Sequence, residues 1–343
     1  PLMVSTIMSS VAAGTIMTLT SFHWLLAWMG LELNTLAMIP IIAKQHHPRA
    51  TEAATKYFLT QAAASAMLLF ASTVNAWSTG TWDITQLSNE LACIMLTMAL
   101  SMKLGLAPLH FWLPEVLQGI PLNTALIITT WQKLAPIALL YLTHNTINPT
   151  ILLMMGLTST MVGGWGGLNQ TQTRKIMAYS SIAHLGWMAS ITSINPNLML
   201  LNLTLYIMMT ASTFMMLILT ASKTVKDMST SWLISPAATA LMLTLFMSMG
   251  GLPPLTGFMP KWLILQELTM NSLSTTATIL ALSALLSLFF YLRLSYTSAL
   301  TTFPTTTQNN NKWRFQPKPL MTLMNLTLIP SLLLLPITPM MPL

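Results

Sequence analysis

Residues 198–221 read LMLLNLTLYIMMTASTFMMLILTA, a stretch of 24 residues without a charged side chain. As an α-helix the stretch would be about 36 Å long, enough to cross a hydrocarbon core of about 30 Å. Its apolar residues do not alternate with polar ones, as they do in the strands of a membrane β-barrel. Lipid offers backbone groups no hydrogen-bond partners, so a spanning segment of this kind forms a helix. The stretch therefore predicts a membrane-spanning α-helix.

The whole chain has the composition of such helices. Of its 343 residues 54% are hydrophobic and only 6% are charged, whereas soluble domains carry about 25% charged residues. The net charge of +7 would suggest nucleic acid in a soluble protein, but no basic helix or basic patch with interleaved aromatics is present. Cys93, the one cysteine, cannot form an internal disulfide or hold an iron–sulfur cluster. We therefore expect no nucleic-acid partner and no metal cluster.

Apolar runs separated by polar breaks predict an all-α membrane protein that forms a single transmembrane domain. The eleven expected spans lie near 3–20, 22–44, 52–76, 91–118, 122–143, 147–168, 174–193, 197–222, 236–269, 274–300 and 320–341. The fourth and ninth are too long for plain spans and carry Gly and Pro in the middle, which predicts broken helices. We expect no cleavable signal before the first span and expect the spans themselves to direct insertion.

The basic residues predict the orientation of these spans, because Lys and Arg accumulate in loops on the side that is not translocated. One set of alternate loops holds ten of the fourteen basic residues, namely Lys44, Arg49, Lys56, Arg174, Lys175, Lys223, Lys226, Lys312, Arg314 and Lys318. The other set, at 77–90, 144–147, 194–197 and 270–273, holds none. The N-terminus is therefore expected on the inner side.

The two predicted broken helices share a motif. Residues 105–114 read GLAPLHFWLP and residues 251–260 read GLPPLTGFMP. Their spans are an odd number of crossings apart, so the copies run in opposite directions and predict an inverted five-helix repeat, with halves near 22–143 and 147–300. Broken helices at matching positions of an inverted repeat are typical of transporters. Chance similarity in a chain rich in Leu and Pro is the alternative.

Three charged residues are expected near the middle of the membrane. Glu32 lies at the centre of the second span, Lys103 just before the first break and Lys133 at the centre of the fifth span. A charge at this depth is costly unless it is paired or neutralised, so we expect Lys103 to be the counter-charge of Glu32. These residues either exchange protons or form a static ion pair.

The remaining buried candidates each have an alternative. Lys261 follows the second break and either carries protons or snorkels to water, and snorkelling is the better interpretation for Arg293. His110 and His184 can relay protons near neutral pH or serve as core side chains. Metal binding is not expected at the adjacent pair His46 and His47, because neighbouring side chains diverge. The glycines at 163–167 favour close helix packing over a phosphate loop, since no strand precedes them.

Five longer motifs closely resemble the antiporter-like membrane-arm subunits of respiratory complex I, in the shortened animal form that lacks the first three of fourteen spans. They are ATEAATKYFLTQ at 50–61, MKLGLAPLHFWLPE at 102–115, GGWGGLNQTQ at 163–172, RKIMAYSSIAHLG at 174–186 and GGLPPLTGFMPKW at 250–262. The resemblance covers nearly the whole chain.

The resemblance implies a proton-translocating subunit of the mitochondrial inner membrane, with the N-terminus and residues 301–319 in the matrix and a last span at 320–341. Glu32 and Lys103 would form the first half-channel pair, Lys133 the bridge and Lys261 the far lysine on a polar, hydrated axis. His110 and His184 match the same motifs. NAD, FMN, iron–sulfur clusters and ubiquinone would be bound by other subunits. Expected partners are neighbouring membrane-arm subunits, including antiporter-like chains, and lipids such as cardiolipin.

Two other functions share these charges. A free-standing sodium/proton antiporter would need dedicated carboxylates for Na⁺, and only Glu32 is clearly inside a span. A purely structural membrane-arm subunit would hold the lysines as static scaffolding and pass no protons itself.

Overall fold

A computed structural model describes residues 2–300, 311, 314 and 321–336. The chain divides into two compact units, Pro1–Ser159 and Thr160–Leu343. In the first unit the helices are α1 Leu2–Thr20, α2 Trp24–Ala43, α3 Pro48–Thr79, α4 Glu90–Leu104, α5 Trp112–Gly119, α6 Leu122–Thr129 and α7 Leu134–Leu142. α8 Pro149–Gly167 runs across the boundary. In the second unit they are α9 Thr173–Thr192, α10 Pro196–Leu219, α11 Val225–Ser229, α12 Pro236–Gly250, α13 Phe258–Met270, α14 Ser274–Ala299 and α15 Met321–Leu333.

The all-helical membrane architecture is confirmed for the described residues. Six helical stretches are long and apolar enough to cross a membrane: α1, α2, α3, the stretch Leu122–Leu142, α10 and α14. The helix predicted from residues 198–221 is α10, which begins with Pro196 in its first turn and is capped by the Asn195 side chain. The matrix loop predicted at 301–319 and the end of the predicted last span lie largely outside the described residues.

Loops that the charge pattern placed on one side contact each other within each unit. In the first unit the ring of His23 stacks on Trp82 with centroids 5.6 Å apart, and the Trp24 N–H donates to the Trp82 carbonyl at 3.0 Å. In the second unit the Thr173 N–H donates to the Lys223 carbonyl at 3.1 Å. An even number of predicted spans lies between the two loops of each contact. The predicted topology therefore places both loops on the same side of the membrane.

The two predicted broken helices are broken where the glycines stand. α4 ends at Leu104, and Gly105 follows with φ +79° and donates its N–H to the Ser101 carbonyl at 2.8 Å. α12 ends at Gly250, and Gly251 follows with the same φ of +79°. This left-handed conformation is costly for residues with a Cβ and ordinary for glycine. The shared motif therefore has the same helix-ending geometry in both copies.

The fifth predicted span, at 122–143, is not the unbroken helix that we expected. α6 ends at Thr129, a 3-10 turn occupies Trp131–Lys133, and α7 begins at Leu134. Pro136 explains the interruption, because proline has no N–H for the carbonyl four residues earlier. The hydroxyl of Thr130 also donates to the Leu126 carbonyl at 2.7 Å. The turn places Lys133 at a helix break of its own.

Candidate functional site

A small polar cavity lies inside the first unit, between α2, α3, α4 and the 3-10 turn. It has room for about one water molecule. Its lining includes seven side chains with amide, hydroxyl or ammonium groups, namely Asn34, Thr35, Tyr57, Gln61, Lys103, Gln132 and Lys133. Two of the lysines that the sequence singled out, Lys103 and Lys133, thus share one enclosed space.

Lys133 is bound to the end of the first broken helix. Its side chain is 1% exposed, and its ammonium donates to the carbonyl of Leu104, the last residue of α4. That carbonyl has no partner within its helix and lies at the negative end of the helix dipole. The ammonium also lies 5.8 Å from the centroid of the Trp112 ring, within the range of a cation–π interaction. The helix break therefore supplies the stabilisation that a buried cation needs.

Lys103 and Glu32 do not form the direct ion pair that the sequence suggested. Lys103 is 4% exposed, and its ammonium has no hydrogen-bond partner among the described residues. Glu32 is half-buried and lies close enough for the two charges to interact. Its Oε2 atom is also buried without a partner in the described part of the chain. Each side chain thus has a buried polar atom without a hydrogen-bond partner among the described residues.

Lys261 has in the second unit the kind of contact that Lys133 has in the first. Its ammonium donates at 2.8 Å to the carbonyl of Gly250, the last residue of α12. The side chain folds over Gly251, so that a Cβ built on this glycine would lie 2.9 Å from the Lys261 Nζ. The ammonium is thus directed at the helix break, which argues against the snorkelling alternative.

The two histidines differ in their surroundings. His184 is 6% exposed, packs against the ring of Tyr206 with centroids 5.5 Å apart, and lies close enough to interact with the charge of Lys261. His110 is also 6% exposed and lies in the first break against the ring of Phe111, at 4.3 Å. His110 does not line the cavity of Lys103 and Lys133. His184 is thus the histidine for which an interaction with a predicted lysine, Lys261, is observed among the described residues.

Arg293 reaches backbone carbonyls instead of only extending to water. Its guanidinium donates to the carbonyls of Leu168, at 2.5 Å, and of Gln170, at 2.8 Å. These two residues follow the C-terminal end of α8, whose last carbonyls lack helical partners. Arg293 is therefore a structural cap for the glycine-rich end of α8.

The charged residues near the N-terminal end of α3 are exposed. Lys56 lies 2.6 Å from Glu52 and 2.7 Å from Glu115, and all three side chains are at least 41% exposed. Exposed pairs of this kind contribute about 0–1 kcal/mol. No group of three or more His, Cys, Asp or Glu that could hold a metal occurs in the described residues.

The sequence analysis missed the uncharged polar residues of the cavity. The side chain of Gln132 donates to the Oδ1 atom of Asn34 at 2.8 Å, and the Tyr57 hydroxyl lies 3.5 Å from the Gln132 Oε1 atom. Asn34 and Gln61 are 2% and 4% exposed. Amides inside predicted spans were the available signal, because polar side chains at that depth are rare and usually face a bundle interior.

Family models match almost the whole chain. The model described as NADH:quinone oxidoreductase/Mrp antiporter, TM, matches residues 21–287, which include the four charged candidates. The model described as NADH dehydrogenase subunit 2 C-terminus matches residues 288–342.

Named relatives and solved structures agree with these models. NADH-ubiquinone oxidoreductase chain 2 of Xenopus laevis is 56% identical, with 99% of this chain and 98% of that protein aligned. The same chain of Canis lupus is 54% identical over 98% and 96%. A chain of respiratory complex I from Thermus thermophilus is 27% identical, with a TM-score of 0.81 over 96% of this chain and 78% of that one.

A more distant structure shares the fold alone. A chain of the membrane-bound sulfane sulfur reductase, an archaeal respiratory membrane complex, is 16% identical, with a TM-score of 0.82 over 97% and 72% of the two chains. Identity above 50% over nearly the full length of both chains shows the family directly. This chain therefore belongs to the NADH-ubiquinone oxidoreductase chain 2 family, whose transmembrane region is related to the Mrp antiporters.

Proposed function

We propose that this chain translocates protons across the mitochondrial inner membrane as a membrane-arm subunit of an NADH:ubiquinone oxidoreductase. The observation that carries the proposal is the repeated contact at the two helix breaks. Lys133 binds the last carbonyl of α4, and Lys261 binds the last carbonyl of α12. A neutral amine would lose much of its attraction to such a carbonyl, so each lysine has a position that depends on its proton.

In this proposal Glu32 and Lys103 form the adjustable pair, and Lys133 and Lys261 are the following proton carriers. Lys103 has no hydrogen-bond partner in the described chain and interacts electrostatically with Glu32. A change in the charge or distance of Glu32 would alter how firmly Lys103 holds its proton. Lys103 and Lys133 line one cavity, which allows the state of one to affect the other. His184, beside Lys261, relays protons, and His110 does so with less support from geometry.

The proposal includes eleven spans, with the N-terminus in the matrix and an inverted repeat with halves near 22–143 and 147–300. The contacts between same-side loops support the topology. The common left-handed glycine at both breaks supports the repeat. The matrix loop is placed at 301–319 and the last span at 320–341.

The chemistry that drives translocation is assigned to other chains. Oxidation of NADH by ubiquinone would take place on subunits that bind NAD, FMN, iron–sulfur clusters and ubiquinone, and this chain would transmit the released energy as proton movement. Its partners would be neighbouring membrane-arm subunits, including antiporter-like chains. The exposed apolar faces of α1 and α14 would contact lipids such as cardiolipin.

Replacement of Lys133 tests the proposed function. Lys133→Met keeps most of the volume and removes the charge, whereas Lys56→Met makes the same change at an exposed position. The measurement is the number of protons translocated per NADH oxidised by assembled complex in coupled inner-membrane vesicles. We expect Lys133→Met to lower this ratio and Lys56→Met to leave it unchanged. An unchanged ratio in fully assembled Lys133→Met complex would favour the purely structural role.

A further inference from the structure

The amide pair of Asn34 and Gln132 joins two elements that carry proposed proton groups. The Gln132 Nε2 atom donates to the Asn34 Oδ1 atom at 2.8 Å, although the residues are 98 positions apart. Asn34 lies on α2 and is 2% exposed, so water does not readily replace this hydrogen bond. Gln132 lies in the 3-10 turn Trp131–Lys133. The pair is therefore a part-buried polar link between α2 and this turn.

The pair closes a ring of contacts around the cavity. On α2, Asn34 follows Glu32 by two residues, and in the 3-10 turn Gln132 directly precedes Lys133. Lys133 binds the carbonyl of Leu104, which is the neighbour of Lys103 in the chain. The charge of Lys103 in turn interacts with Glu32. Glu32, Lys103 and Lys133 thus lie on one ring of contacts, and the Asn34–Gln132 hydrogen bond is its neutral side-chain link.

The position of Lys133 depends on a short, adjustable piece of backbone. A 3-10 turn inside a helix has poorer hydrogen-bond geometry than an α-helix and often marks a hinge. The amide of Gln132 cannot carry a charge, so it does not itself hold the transported proton. Its Oε1 atom faces the Tyr57 hydroxyl at 3.5 Å, which is too long for a strong bond. The bond to Asn34 is therefore the main side-chain restraint on Gln132.

We propose that the Asn34–Gln132 hydrogen bond is a latch that holds Lys133 on the Leu104 carbonyl and releases it when α2 shifts in response to Glu32. Gln132 and Asn34 are positioning residues in this scheme. The inference rests on the proposed function, since it assigns the device by which the Glu32–Lys103 pair reaches Lys133. A displacement of α2 relative to the turn breaks the latch and frees the Lys133 ammonium for the cavity.

The test compares four variants in assembled complex. Gln132→Met removes the amide at similar length. The exchange of Asn34→Gln together with Gln132→Asn restores an amide pair of the same total length. Gln266→Met makes the same change at an exposed position of α13. Lys133→Met reports on the proposed function itself.

The readout is protons translocated per NADH together with the amount of assembled complex. We expect Gln132→Met to lower the translocation carried by this chain by roughly threefold to tenfold, the effect of losing one part-buried hydrogen bond. The exchange should restore it to within about twofold. Gln266→Met should match the wild type. A merely structural bond would lower the amount of complex and leave the ratio unchanged.

Failure of the latch and failure of the function give different results. If Lys133→Met lowers the ratio while Gln132→Met does not, the latch is wrong and the proposed function stands. If Gln132→Met lowers the ratio but the exchange does not restore it, the hydrogen bond is not the cause, and the latch is again wrong. If Lys133→Met itself translocates normally, the proposed function fails and the inference fails with it.

Discussion

Gly251→Ala should disturb proton translocation by displacing Lys261. Gly251 has φ +79°, where a residue with a Cβ costs about 1–2 kcal/mol. The added methyl group would lie 2.9 Å from the Lys261 Nζ atom and 3.2 Å from the Gly257 carbonyl. The side chain of Lys261 is the part that can move, so its ammonium would leave the Gly250 carbonyl. Gly251→Ala is therefore unfavourable for two reasons, the backbone strain at this position and the loss of the Lys261–Gly250 hydrogen bond.

Gly80→Ala separates these two costs. Gly80 also has a left-handed conformation, with φ +74°, but a Cβ there would meet no atom within 4 Å. Both variants carry the backbone cost, and only Gly251→Ala also loses the lysine–carbonyl bond. A hydrogen bond to a charged group contributes about 1.5–3 kcal/mol, which corresponds to a factor of roughly 10 to 150 in the population of bound ammonium.

The assay is the ratio of protons translocated to NADH oxidised, with assembly followed on native gels. Both alanine variants should reduce assembly, Gly251→Ala more than Gly80→Ala because it also loses the lysine–carbonyl bond, and Gly251→Ala alone should reduce the ratio in the complex that does assemble. If the two variants give the same ratio, the placement of Lys261 on the Gly250 carbonyl has no part in translocation.

Two further predictions concern the scaffold and the topology. Arg293→Met leaves the Leu168 and Gln170 carbonyls without their donor. The variant should destabilise the chain by about 2–4 kcal/mol and lower the amount of assembled complex. A lower ratio of protons to NADH in the remaining complex would contradict a purely structural cap. Thr85→Cys should react with an impermeant maleimide added from the intermembrane space. Lys226→Cys should react only from the matrix, because the basic loops are expected on the matrix side. Reaction of both cysteines from one side would refute the topology.

The helix breaks could be predicted because their causes are local. A glycine followed closely by proline favours the end of a helix, so the motif beginning at Gly105 and Gly251 indicated the breaks without knowledge of the fold. The charges at Lys103 and Lys133 were also recognisable as buried, since they lie far from either end of a long apolar run.

The partners of the polar residues could not be predicted in the same way. Gln132 and Asn34 are 98 positions apart, and only the packing of α2 against the 3-10 turn brings them together. Arg293 reaches carbonyls 123 and 125 positions away, which no spacing rule identifies. Lys103 was expected to be the counter-charge of Glu32 because each charge needs a partner, but its ammonium has no hydrogen-bond partner among the described residues and lines a cavity. The 3-10 turn did have a local signal in Pro136. It was not used, because the continuous hydrophobic run at 122–143 was interpreted as one unbroken span.

The pair Glu32 and Lys103 provides the most direct test of the central claim, that buried charges in this chain move protons. The measurement is protons translocated per NADH oxidised by fully assembled complex in which Glu32→Gln and Lys103→Met are combined. Replacing a static buried pair with neutral residues is often tolerated or stabilising, so a structural pair would leave both assembly and the ratio intact. We expect near-normal assembly with a clearly lower ratio. A double variant that translocates protons at the wild-type ratio would contradict it.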